Sequence, residues 1–552
     1  MSVQEKYLSW LNCPAMTEEL SAELRHMDDS TRNDSFYRNL AFGTGGLRGL
    51  LGAGTNRMNE FTVMKATRGL GSYLLESFTD PSCAVSYDSR IHSRDFAELT
   101  AAVLAEMGIS VMIYPSLQPT PMLSFAVRHL SASAGVMITA SHNPARYNGY
   151  KVYGSDGCQI TLEAASLIQE QISRQEDLSD HLPSFDRYLS SGMIRYISPD
   201  AVEAYYRSVL KLRVSPSSCP LHVVYSPLNG TGNIPVREIM RRMGNITVDV
   251  VEEQELPDGS FPTCPYPNPE IREAMTLAIA KTLQTGADLC FATDPDCDRM
   301  GAGIRIGNDV KLISGNDMGI LMLDYLCRHT LPSDSHPRVV IKTIVTTEMA
   351  AALCRKYRLE LRNVLTGFKY IGEQIGLLEA SGHEDRFLFG FEESYGYLSG
   401  TDVRDKDAVN AALLLCDMAA DLKEQGLSLL DRLHDLRSEF GLFVQRLLTF
   451  EFEGEQGAVR MQNLMESLRR PPDQLGDPLL AAASRIDYLN DATGLPRSDV
   501  ISFILSEDDR FIIRPSGTEP KLKAYLFTRA GTAAEAEKKL DRIQELVDRI
   551  FD

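Results

Sequence analysis

The sequence has little that would direct the chain to a membrane, to a secretory route or to nucleic acid. Its richest central apolar stretch, Ala408 to Cys416, is too short to span a bilayer. The first residues, MSVQEKYLSW, lack a charged segment followed by an apolar run, so we expect no secretory signal. The net charge of −19 argues against nucleic-acid binding, because phosphate backbones require an excess of Lys and Arg.

Several catalytic and metal-binding motifs are also missing. The ten cysteines form no CxxC pair and no zinc-ligand spacing, which indicates free thiols in a reducing, cytoplasmic setting. GxxxxGK[ST] is absent, and in FGTGGLRG Arg48 replaces the third glycine of GxGxxG, so a kinase with a nucleotide loop is unsupported. No GxSxG surrounds Ser141, which argues against an esterase.

What is present is an ordinary globular composition, with 43% hydrophobic and 24% charged residues. Short β-branched runs alternate with helical patterns in three stretches, which begin near Cys83, Leu221 and Val339. In the second stretch, LHVVY, PVREIMRRM and ITVDVV are followed by a helical pattern from Ile271 and the strand DLCFA after Gly286. This β-α-β-α-β order predicts a parallel sheet with crossover helices, and therefore three similar α/β units.

The last part of the chain has a different pattern. VISFIL, RFIIR and KAYLF, between Val500 and Thr528, read as adjacent strands. A closing amphipathic helix has one apolar face, formed by Leu540, Ile543, Val547 and Ile550. We therefore predict a smaller C-terminal α+β domain. Since 552 residues exceed one hydrophobic core, the predicted domains are 1–200, 201–306, 307–436 and 437–552.

Three of four polar loops directly follow apolar strands, at the edge where open parallel sheets bind ligands. The first loop is TASHNP, residues 139–144, in which the hydroxyl of Ser141 could serve as a nucleophile. Thr139 and Ser141 are also typical of a simple turn or cap. Taken alone, the hexapeptide favours that structural interpretation.

The second loop is DPDCDR, residues 294–299, which follows the strand DLCFAT. Its alternate carboxylates, Asp294, Asp296 and Asp298, can converge on one hard cation in a tight loop. An EF-hand is a poor fit because Arg299 occupies the position of the invariant glycine. Three carboxylates leave positions for water and a phosphate oxygen, which suits Mg²⁺. A solvated acidic turn is the alternative, and the preceding strand favours the metal.

The third and fourth loops carry groups suited to a phosphorylated sugar. GFEESYG, residues 390–396, places two carboxylates and a serine between glycines, although alone it is more typical of an exposed acidic loop. RPSGTEPKLK, residues 514–523, offers a guanidinium, two hydroxyls and backbone N–H groups freed by Gly517. These donors favour phosphate binding over a basic turn between two strands.

Together and in this order, FGTGGLRG, TASHNP, DPDCDR, GFEESYG and RPSGTEPKLK resemble the α-D-phosphohexomutase superfamily, over residues 42–523. TGFKYIG (366–372) and VRDKDA (403–408) fit it too, and the chain is most similar to the phosphoglucomutase and phosphopentomutase branch. The resemblance implies an α/β protein with four domains around a central cleft. Three would be similar α/β units with mixed or parallel sheets, and the fourth the smaller α+β domain.

The resemblance also implies roles for the matching residues. Ser141 would carry the phosphoryl group and, through one phosphoserine oxygen, hold Mg²⁺ together with the three aspartates. The groups around the transferring phosphoryl group would be Arg48, His142, Lys151 and Arg299. Glu392 and Ser394 would bind the sugar hydroxyls. The unreactive phosphate would be bound by Arg514, Ser516, Gly517 and Thr518. Lys406 is the candidate base, which requires burial or nearby cations to lower its pKa.

The implied activity is a phosphosugar mutase that interconverts sugar 1-phosphate and sugar 6-phosphate, with α-D-glucose phosphates as first choice. A sugar 1,6-bisphosphate is expected as intermediate and activator, and Mg²⁺ as the metal. The alternatives are a phosphopentomutase, a phosphomannomutase or a sugar 1,6-bisphosphate synthase and, more remotely, a non-catalytic sugar-phosphate-binding protein. We expect a phosphorylated sugar as the binding partner, no nucleic acid and no membrane, and a monomer or homodimer.

Overall fold

A computed structural model describes residues 1–43, 45–330, 336–452, 454–471, 477–515 and 521–551 of the chain. Within these ranges the helices are α1 Val3–Leu11, α2 Glu18–His26, α3 Asp29–Phe36, α4 Glu60–Ser77, α5 Ser93–Glu106, α6 Thr120–His129, α7 Leu162–Ser173, α8 Phe185–Ser191, α9 Pro199–Leu210, α10 Asn233–Met243, α11 Glu252–Glu255, α12 Thr276–Thr285, α13 Gly315–His329, α14 Met349–Tyr357, α15 Phe368–Ala380, α16 Ala408–Glu424, α17 Leu429–Phe440, α18 Gly454–Leu468, α19 Pro478–Ala481 and α20 Ala533–Phe551. A short 3-10 helix spans Glu384–Arg386.

The strands are β1 Leu47–Leu50, β2 Ser82–Tyr87, β3 Ser110–Ile113, β4 Ala134–Ile138, β5 Tyr147–Gly154, β6 Ile194–Tyr196, β7 Leu221–Ser226, β8 Ile246–Val250, β9 Leu289–Thr293, β10 Met300–Ile306, β11 Asp309–Ile313, β12 Val339–Thr343, β13 Glu360–Val364, β14 Phe387–Glu392, β15 Gly396–Leu398, β16 Leu442–Glu451, β17 Ser484–Asp487, β18 Ile501–Ile504, β19 Arg510–Pro515 and β20 Lys521–Ala530. They form four sheets.

The first three sheets repeat one design. Their strand orders are β1-β5-β4-β2-β3-β6, β11-β10-β9-β7-β8 and β13-β12-β14-β15. In each, the first strand of the unit (β2, β7 or β12) lies between the second and third strands, and pairs with both in parallel. An antiparallel strand (β5, β10 or β15) then pairs with the third. The prediction of three similar α/β units with mixed sheets is confirmed.

The central strands are continuous apolar runs because both of their faces are covered. All five residues of β4, of β9 and of β12 are buried, as parallel sheets between helix layers require. The helix predicted from Ile271 begins later, as α12 at Thr276. Before it, Ile271 and Met275 donate their backbone N–H groups three residues back, to Asn268 and Arg272, so this segment forms turns.

The fourth sheet is antiparallel throughout, with the order β16-β20-β19-β18-β17. The three predicted strands are confirmed as β18, β19 and β20, and α20 packs its apolar face into the same core through Leu540, Ile543 and Val547. The sequence analysis missed β16 and β17. In β16 most residues are half-buried, and the regular alternation that marks a strand is confined to its end.

The units are joined through shared cores. The apolar stretch from Ala408 lies in α16, which is buried on all sides and packs against α9, α10, α13 and α17. Ile344 and Leu365 of the third unit pack against Tyr525 and Phe527 of the fourth sheet. Of the helices described above, none is long and apolar enough to cross a membrane. The predicted boundary at residue 306 lies between β10 and β11, which are adjacent strands of one sheet.

The repeated topology positions the polar loops. In each of the three units, a polar loop connects the third strand to the antiparallel strand: residues 139–146 after β4, 294–299 after β9 and 393–395 after β14. Because these connections are equivalent, each unit contributes the same edge of its sheet to a shared site. This relationship follows from topology, since the three loops share no sequence.

Candidate active site

Ser141 occupies the turn after β4 and is buried, with 4% of its surface exposed. Its φ of 52° lies in the left-handed region, which serine rarely adopts. Its backbone N–H donates to Oγ1 of Thr139 at 2.8 Å, which ties the turn to the end of the strand. Its side-chain Oγ donates to Oδ2 of Asp294 at 2.9 Å and lies 3.2 Å from Nδ1 of His142. The serine hydroxyl therefore points at the aspartate loop of the second unit.

The three aspartates converge as predicted. One carboxylate oxygen from each of Asp294, Asp296 and Asp298 lies within 4.8 Å of the others, and all three residues are buried. The loop closes on itself, since Oδ1 of Asp294 accepts the backbone N–H groups of Asp298 at 3.1 Å and Arg299 at 2.9 Å. Cys297, at a φ of 53°, makes the turn that brings the side chains together.

The donor set of this loop is compatible with a hard divalent cation. Oδ1 of Asp296 and Oδ1 of Asp298 are buried and have no hydrogen-bond partner. Burying an anionic oxygen without a partner is costly, and a cation bound by oxygen ligands would remove that cost. Burial, together with the two neighbouring carboxylates, raises the pKa of Asp294 well above its usual range. Burial also acts to raise the pKa of Asp296, but the Lys151 ammonium outweighs it and lowers that pKa.

Two lysines neutralise part of this negative charge. Nζ of Lys151, from β5, lies 2.8 Å from Oδ2 of Asp296 and 3.5 Å from Oδ2 of Asp298. Nζ of Lys406, from the third unit, lies 3.2 Å from Oδ2 of Asp298 and 3.0 Å from Oδ1 of Asp405. Burial alone would lower the pKa of Lys406, but Asp298 and Asp405 outweigh it and raise that pKa. The role of Lys406 as a base stays a prediction.

His142 and Arg48 lie beside the serine, on the side of the cleft. Burial, with Arg299 and Arg48 adding positive charge, lowers the pKa of His142 well below its usual range, so its imidazole is neutral. Arg48, on β1, donates to Oδ1 of Asn143 at 3.2 Å. That contact places its guanidinium over the loop of Ser141.

Arg299 connects the aspartate loop to the GFEESYG loop. Its Nη1 donates to Oε1 of Glu270 at 2.6 Å and to the carbonyl oxygen of Ser394 at 3.1 Å. Glu392, the last residue of β14, accepts the backbone N–H of Gly367 at 2.9 Å. Burial raises the pKa of Glu392. The GFEESYG loop is therefore largely buried against the other units, unlike the exposed acidic loop that its sequence alone favours.

A cleft of about 1220 Å³ joins these groups to the C-terminal domain. Its lining includes Arg48, His142, Arg299, Glu392, Ser394 and Arg514. Arg514 lies at the end of β19, opposite Lys523 of β20. Three further predicted phosphate ligands, Ser516, Gly517 and Thr518, lie outside the described residues. The structure thus brings several cations to one cleft, and the buried Ser141 and carboxylate cluster lie directly behind the cleft residues His142 and Arg299.

Comparison with known proteins agrees with this arrangement. Three models of the phosphoglucomutase/phosphomannomutase alpha/beta/alpha domains match the chain: domain I at residues 39–179, domain II at 203–307 and domain III at 314–440. The chain belongs to the phosphoglucomutase/phosphomannomutase family. The resemblance to the α-D-phosphohexomutase superfamily is thereby confirmed.

Two relatives that match this chain over most of their length are named phosphoglucomutase. A phosphoglucomutase from Staphylococcus saprophyticus is 37% identical over 513 residues, which cover 90% of this chain and 92% of the relative. A phosphoglucomutase from Staphylococcus aureus strain MSSA476 is 36% identical over 529 residues, covering 93% and 94% of the two chains.

Solved structures share the fold at lower identity. Parafusin from Paramecium, an exocytosis-sensitive phosphoprotein and phosphoglucomutase in its open form, superposes with a TM-score of 0.71 at 17% identity and covers 94% of this chain and 95% of its own. A phosphoglucomutase/phosphomannomutase family protein from Burkholderia thailandensis gives 0.68 at 18% identity, with 92% and 97% covered. These likenesses support the four-domain α/β fold.

Several groups in the site of this family member were not predicted from the sequence. Thr120, at the start of α6, donates its hydroxyl to Oδ2 of Asp296 at 2.8 Å. Asp405 accepts the Tyr153 hydroxyl at 2.8 Å while it binds Lys406. Glu270 binds Arg299, as described above. Only Asp405 could have been found from the sequence, because it directly precedes Lys406 in VRDKDA. Thr120 and Glu270 are distant in sequence from the loops they contact.

Proposed function

We propose that this protein is a phosphosugar mutase that interconverts α-D-glucose 1-phosphate and glucose 6-phosphate through phosphorylated Ser141. The observation that carries the proposal is the 2.9 Å hydrogen bond between Oγ of Ser141 and Oδ2 of Asp294. It places a nucleophilic hydroxyl against a buried carboxylate cluster that suits a hard cation, at the edge of a cleft lined with cations. The phosphoglucomutase name shared by relatives at 36–37% identity supports glucose as the sugar.

The residues around Ser141 are suited to phosphoryl transfer, which depends on positioning and charge neutralisation. Mg²⁺, bound by Asp294, Asp296, Asp298 and an oxygen on Ser141, would supply neutralisation of the transferring group. Arg48 and Arg299 add positive charge from the cleft side. The neutral imidazole of His142 orients Oγ from 3.2 Å.

Lys151 and Lys406 hold two ammonium groups against the aspartates, and we assign Lys406 a role as a cation. Its Nζ contacts the carboxylates of Asp298 and Asp405, so as an ammonium it neutralises charge near the transferring group. Its neighbour Asp405 fixes the position of Nζ at 3.0 Å.

The other end of the cleft would bind the rest of the sugar phosphate. We assign Glu392 and Ser394 to the sugar hydroxyls and Arg514 to the unreactive phosphate, and the position of all three in the lining of the cleft supports this assignment. Ser516, Gly517 and Thr518 are assigned to the same phosphate by resemblance. Phosphorylated Ser141 gives its phosphoryl group to the free sugar hydroxyl, and the proton of that hydroxyl ends on Oγ of the departing serine. The sugar 1,6-bisphosphate turns over in the cleft. Ser141 then accepts the other phosphoryl group, and its proton returns to the sugar oxygen that is released. The bisphosphate is therefore also the activator that phosphorylates the resting serine.

We place this chemistry in the cytoplasm. The ten cysteines, all within the described residues, are free thiols, and seven of them, including Cys297, are buried. Such thiols are typical of a reducing compartment.

The test is conversion of glucose 1-phosphate to glucose 6-phosphate with Mg²⁺ and a trace of glucose 1,6-bisphosphate. Ser141→Ala and treatment with EDTA are expected to abolish turnover, whereas the matched change at an exposed serine, Ser155→Ala, is expected to leave it unchanged. Activity confined to mannose or ribose phosphates would show that the substrate is one of those sugars and not glucose. Stoichiometric bisphosphate from a high-energy donor would indicate a synthase. A folded wild type that is inactive in all of these assays would contradict the proposal.

A further inference from the structure

Arg90 lies in the turn after β2 and is 3% exposed. Its guanidinium donates to four backbone carbonyls of the loop that carries Ser141. Nη2 lies 2.5 Å from the carbonyl oxygen of Ser141 and also bonds that of Asn143. Nη1 lies 3.0 Å from the carbonyl oxygen of Pro144 and 3.0 Å from that of Tyr147. One side chain thus binds four backbone acceptors between Ser141 and Tyr147.

The loop needs such support because its conformation is costly. Ser141 has a φ of 52°, and the left-handed region is unfavourable for a residue with a side chain. Such a conformation persists only where its surroundings determine it. The bond from Thr139 Oγ1 fixes the backbone N–H of Ser141, while Arg90 fixes the carbonyl of the same residue. The direction of Oγ toward Asp294 depends on both.

Arg90 is itself held in place. Its backbone N–H donates to Oδ1 of Asp88 at 2.9 Å, its Nε lies 3.3 Å from Oδ2 of Asp88, and the same carboxylate accepts the Ser93 hydroxyl at 2.7 Å. The ring of Phe261, from the second unit, lies 5.1 Å from its guanidinium carbon. A lysine at this position could not reproduce the contacts, because an ammonium lacks the planar fork of donors that meets four carbonyls.

We propose that Arg90 is a positioning residue for phosphoryl transfer: it holds the loop of Ser141 so that Oγ faces the aspartates. The inference rests on the proposed function, since it assumes that Ser141 is the group that carries the phosphoryl. Arg90 is almost fully buried, and both of its Nη atoms are engaged by backbone carbonyls of this loop, so it acts through the loop and not through contact with the sugar.

The first experiment measures kcat and KM for glucose 1-phosphate in Arg90→Ala and Arg90→Lys. Misplacing a reacting group by about 1 Å lowers a rate on the order of 100-fold, so we expect such a loss of kcat in Arg90→Ala, with KM nearly unchanged. Arg90→Lys is expected to retain only slightly more kcat than Arg90→Ala. Millimolar guanidinium is expected to rescue Arg90→Ala, whereas methylammonium is not. Arg57, another buried arginine of the first unit, provides the control Arg57→Ala, which is expected to keep wild-type kcat.

The second experiment does not depend on activity. Amide hydrogen exchange of residues 139–148 is expected to accelerate in both Arg90 variants, while residues 294–299 and the fold as a whole exchange as in the wild type. If the wild type turns over no sugar phosphate, the proposed function is wrong. Amide hydrogen exchange still tests whether Arg90 stabilises the loop. The inference about Arg90 is wrong if the wild type is active and the Arg90→Ala variant, although folded, keeps the wild-type kcat. It is also wrong if this variant differs only in a higher KM, or if the hydrogen exchange of its loop is unchanged.

Discussion

Nζ of Lys406 lies 3.2 Å from Oδ2 of Asp298. The lysine belongs to the third unit and the aspartate to the second, and on the same carboxylate cluster Ser141 and Lys151 arrive from the first. The charged centre is therefore assembled at the meeting of three sheets. Because each unit contributes the same edge, small changes in how the units pack alter distances between reacting groups.

The contact of Lys406 predicts how its variants behave. If its role is to supply positive charge, Lys406→Arg keeps that charge and retains more kcat than Lys406→Met, which is expected to lose on the order of 100-fold. The measurement is kcat as a function of pH. Lys423→Met, at an ammonium that pairs with Asp288 on the surface, is the control and should match the wild type. Equal inactivity of both Lys406 variants, with an ionisation that disappears in them, would instead indicate a base.

The sequence predicted those parts of the site that are local. Each loop that carries Ser141, the aspartates or Glu392 directly follows a buried strand, and apolar runs of that kind are recognisable without a structure. The order of parallel strands then places the loops at one edge. For this reason the carboxylate cluster was predicted from neighbouring residues, whereas the role of Ser141 came from the family resemblance, because TASHNP alone favours a turn.

The groups that orient these residues could not be predicted in the same way. Arg90 lies 51 residues before Ser141 in the chain, and Thr120 lies 176 residues before Asp296. Their contacts depend on the packing of strands and units, which no local pattern encodes. The raised pKa of Lys406 has the same origin, since Asp298 comes from another unit.

The aspartate cluster predicts a metal-dependent stability. A ligand that binds only the folded state stabilises it by about 2.7 kcal/mol at 100 times its Kd, so Mg²⁺ is expected to raise the unfolding temperature of the wild type. Asp294→Asn removes one of three buried carboxylates. Without metal, burial and the neighbouring carboxylates raise the pKa of Asp294 and so favour its neutral form, which leaves little repulsion for the substitution to relieve. We therefore expect this variant to unfold near the wild-type temperature in EDTA and to gain little from Mg²⁺.

Differential scanning calorimetry with and without Mg²⁺ measures both effects. Asp385→Asn, at an exposed aspartate of the 3-10 helix, is the control and should respond to Mg²⁺ as the wild type does. A wild type whose unfolding temperature is the same in EDTA and in Mg²⁺ would contradict a metal site at this loop.

Glu393 predicts a pH-dependent stability. Burial, with the Glu392 carboxylate adding to it, raises the pKa of Glu393 to about 7, and its Oε2 accepts the Thr346 and Thr343 hydroxyls at 3.1 and 3.3 Å. In an unfolded chain a glutamate titrates near about 4.3. Because the folded pKa is the higher one, its stabilising contribution is complete below the unfolded value and is lost as pH rises through about 7.

Glu393→Gln keeps an acceptor for the hydroxyls and cannot ionise. Its unfolding temperature, relative to the wild type, is therefore expected to increase by a few degrees as pH rises from about 4.5 to about 7, and to stay constant above that. Glu545→Gln, at an exposed glutamate of α20, should show a constant offset over the same range. Parallel curves of unfolding temperature against pH for wild type and Glu393→Gln would show that folding does not raise the pKa of Glu393.

Arg48 and Arg514, which both line the cleft, predict two different kinetic defects. Arg514 is assigned to the phosphate that does not react, and a contact made equally in the ground and transition states affects KM more than kcat. Arg514→Ala is therefore expected to raise KM for glucose 1-phosphate by about 10- to 100-fold, as loss of a charge-assisted contact does. Arg48→Ala, beside the serine loop, is expected to lower kcat instead. Steady-state rates measure both, with Arg542→Ala on the exposed face of α20 as control. If both variants lost kcat equally, Arg514 would belong to the transferring step, and the separation of the cleft into a reacting and a binding end would be wrong.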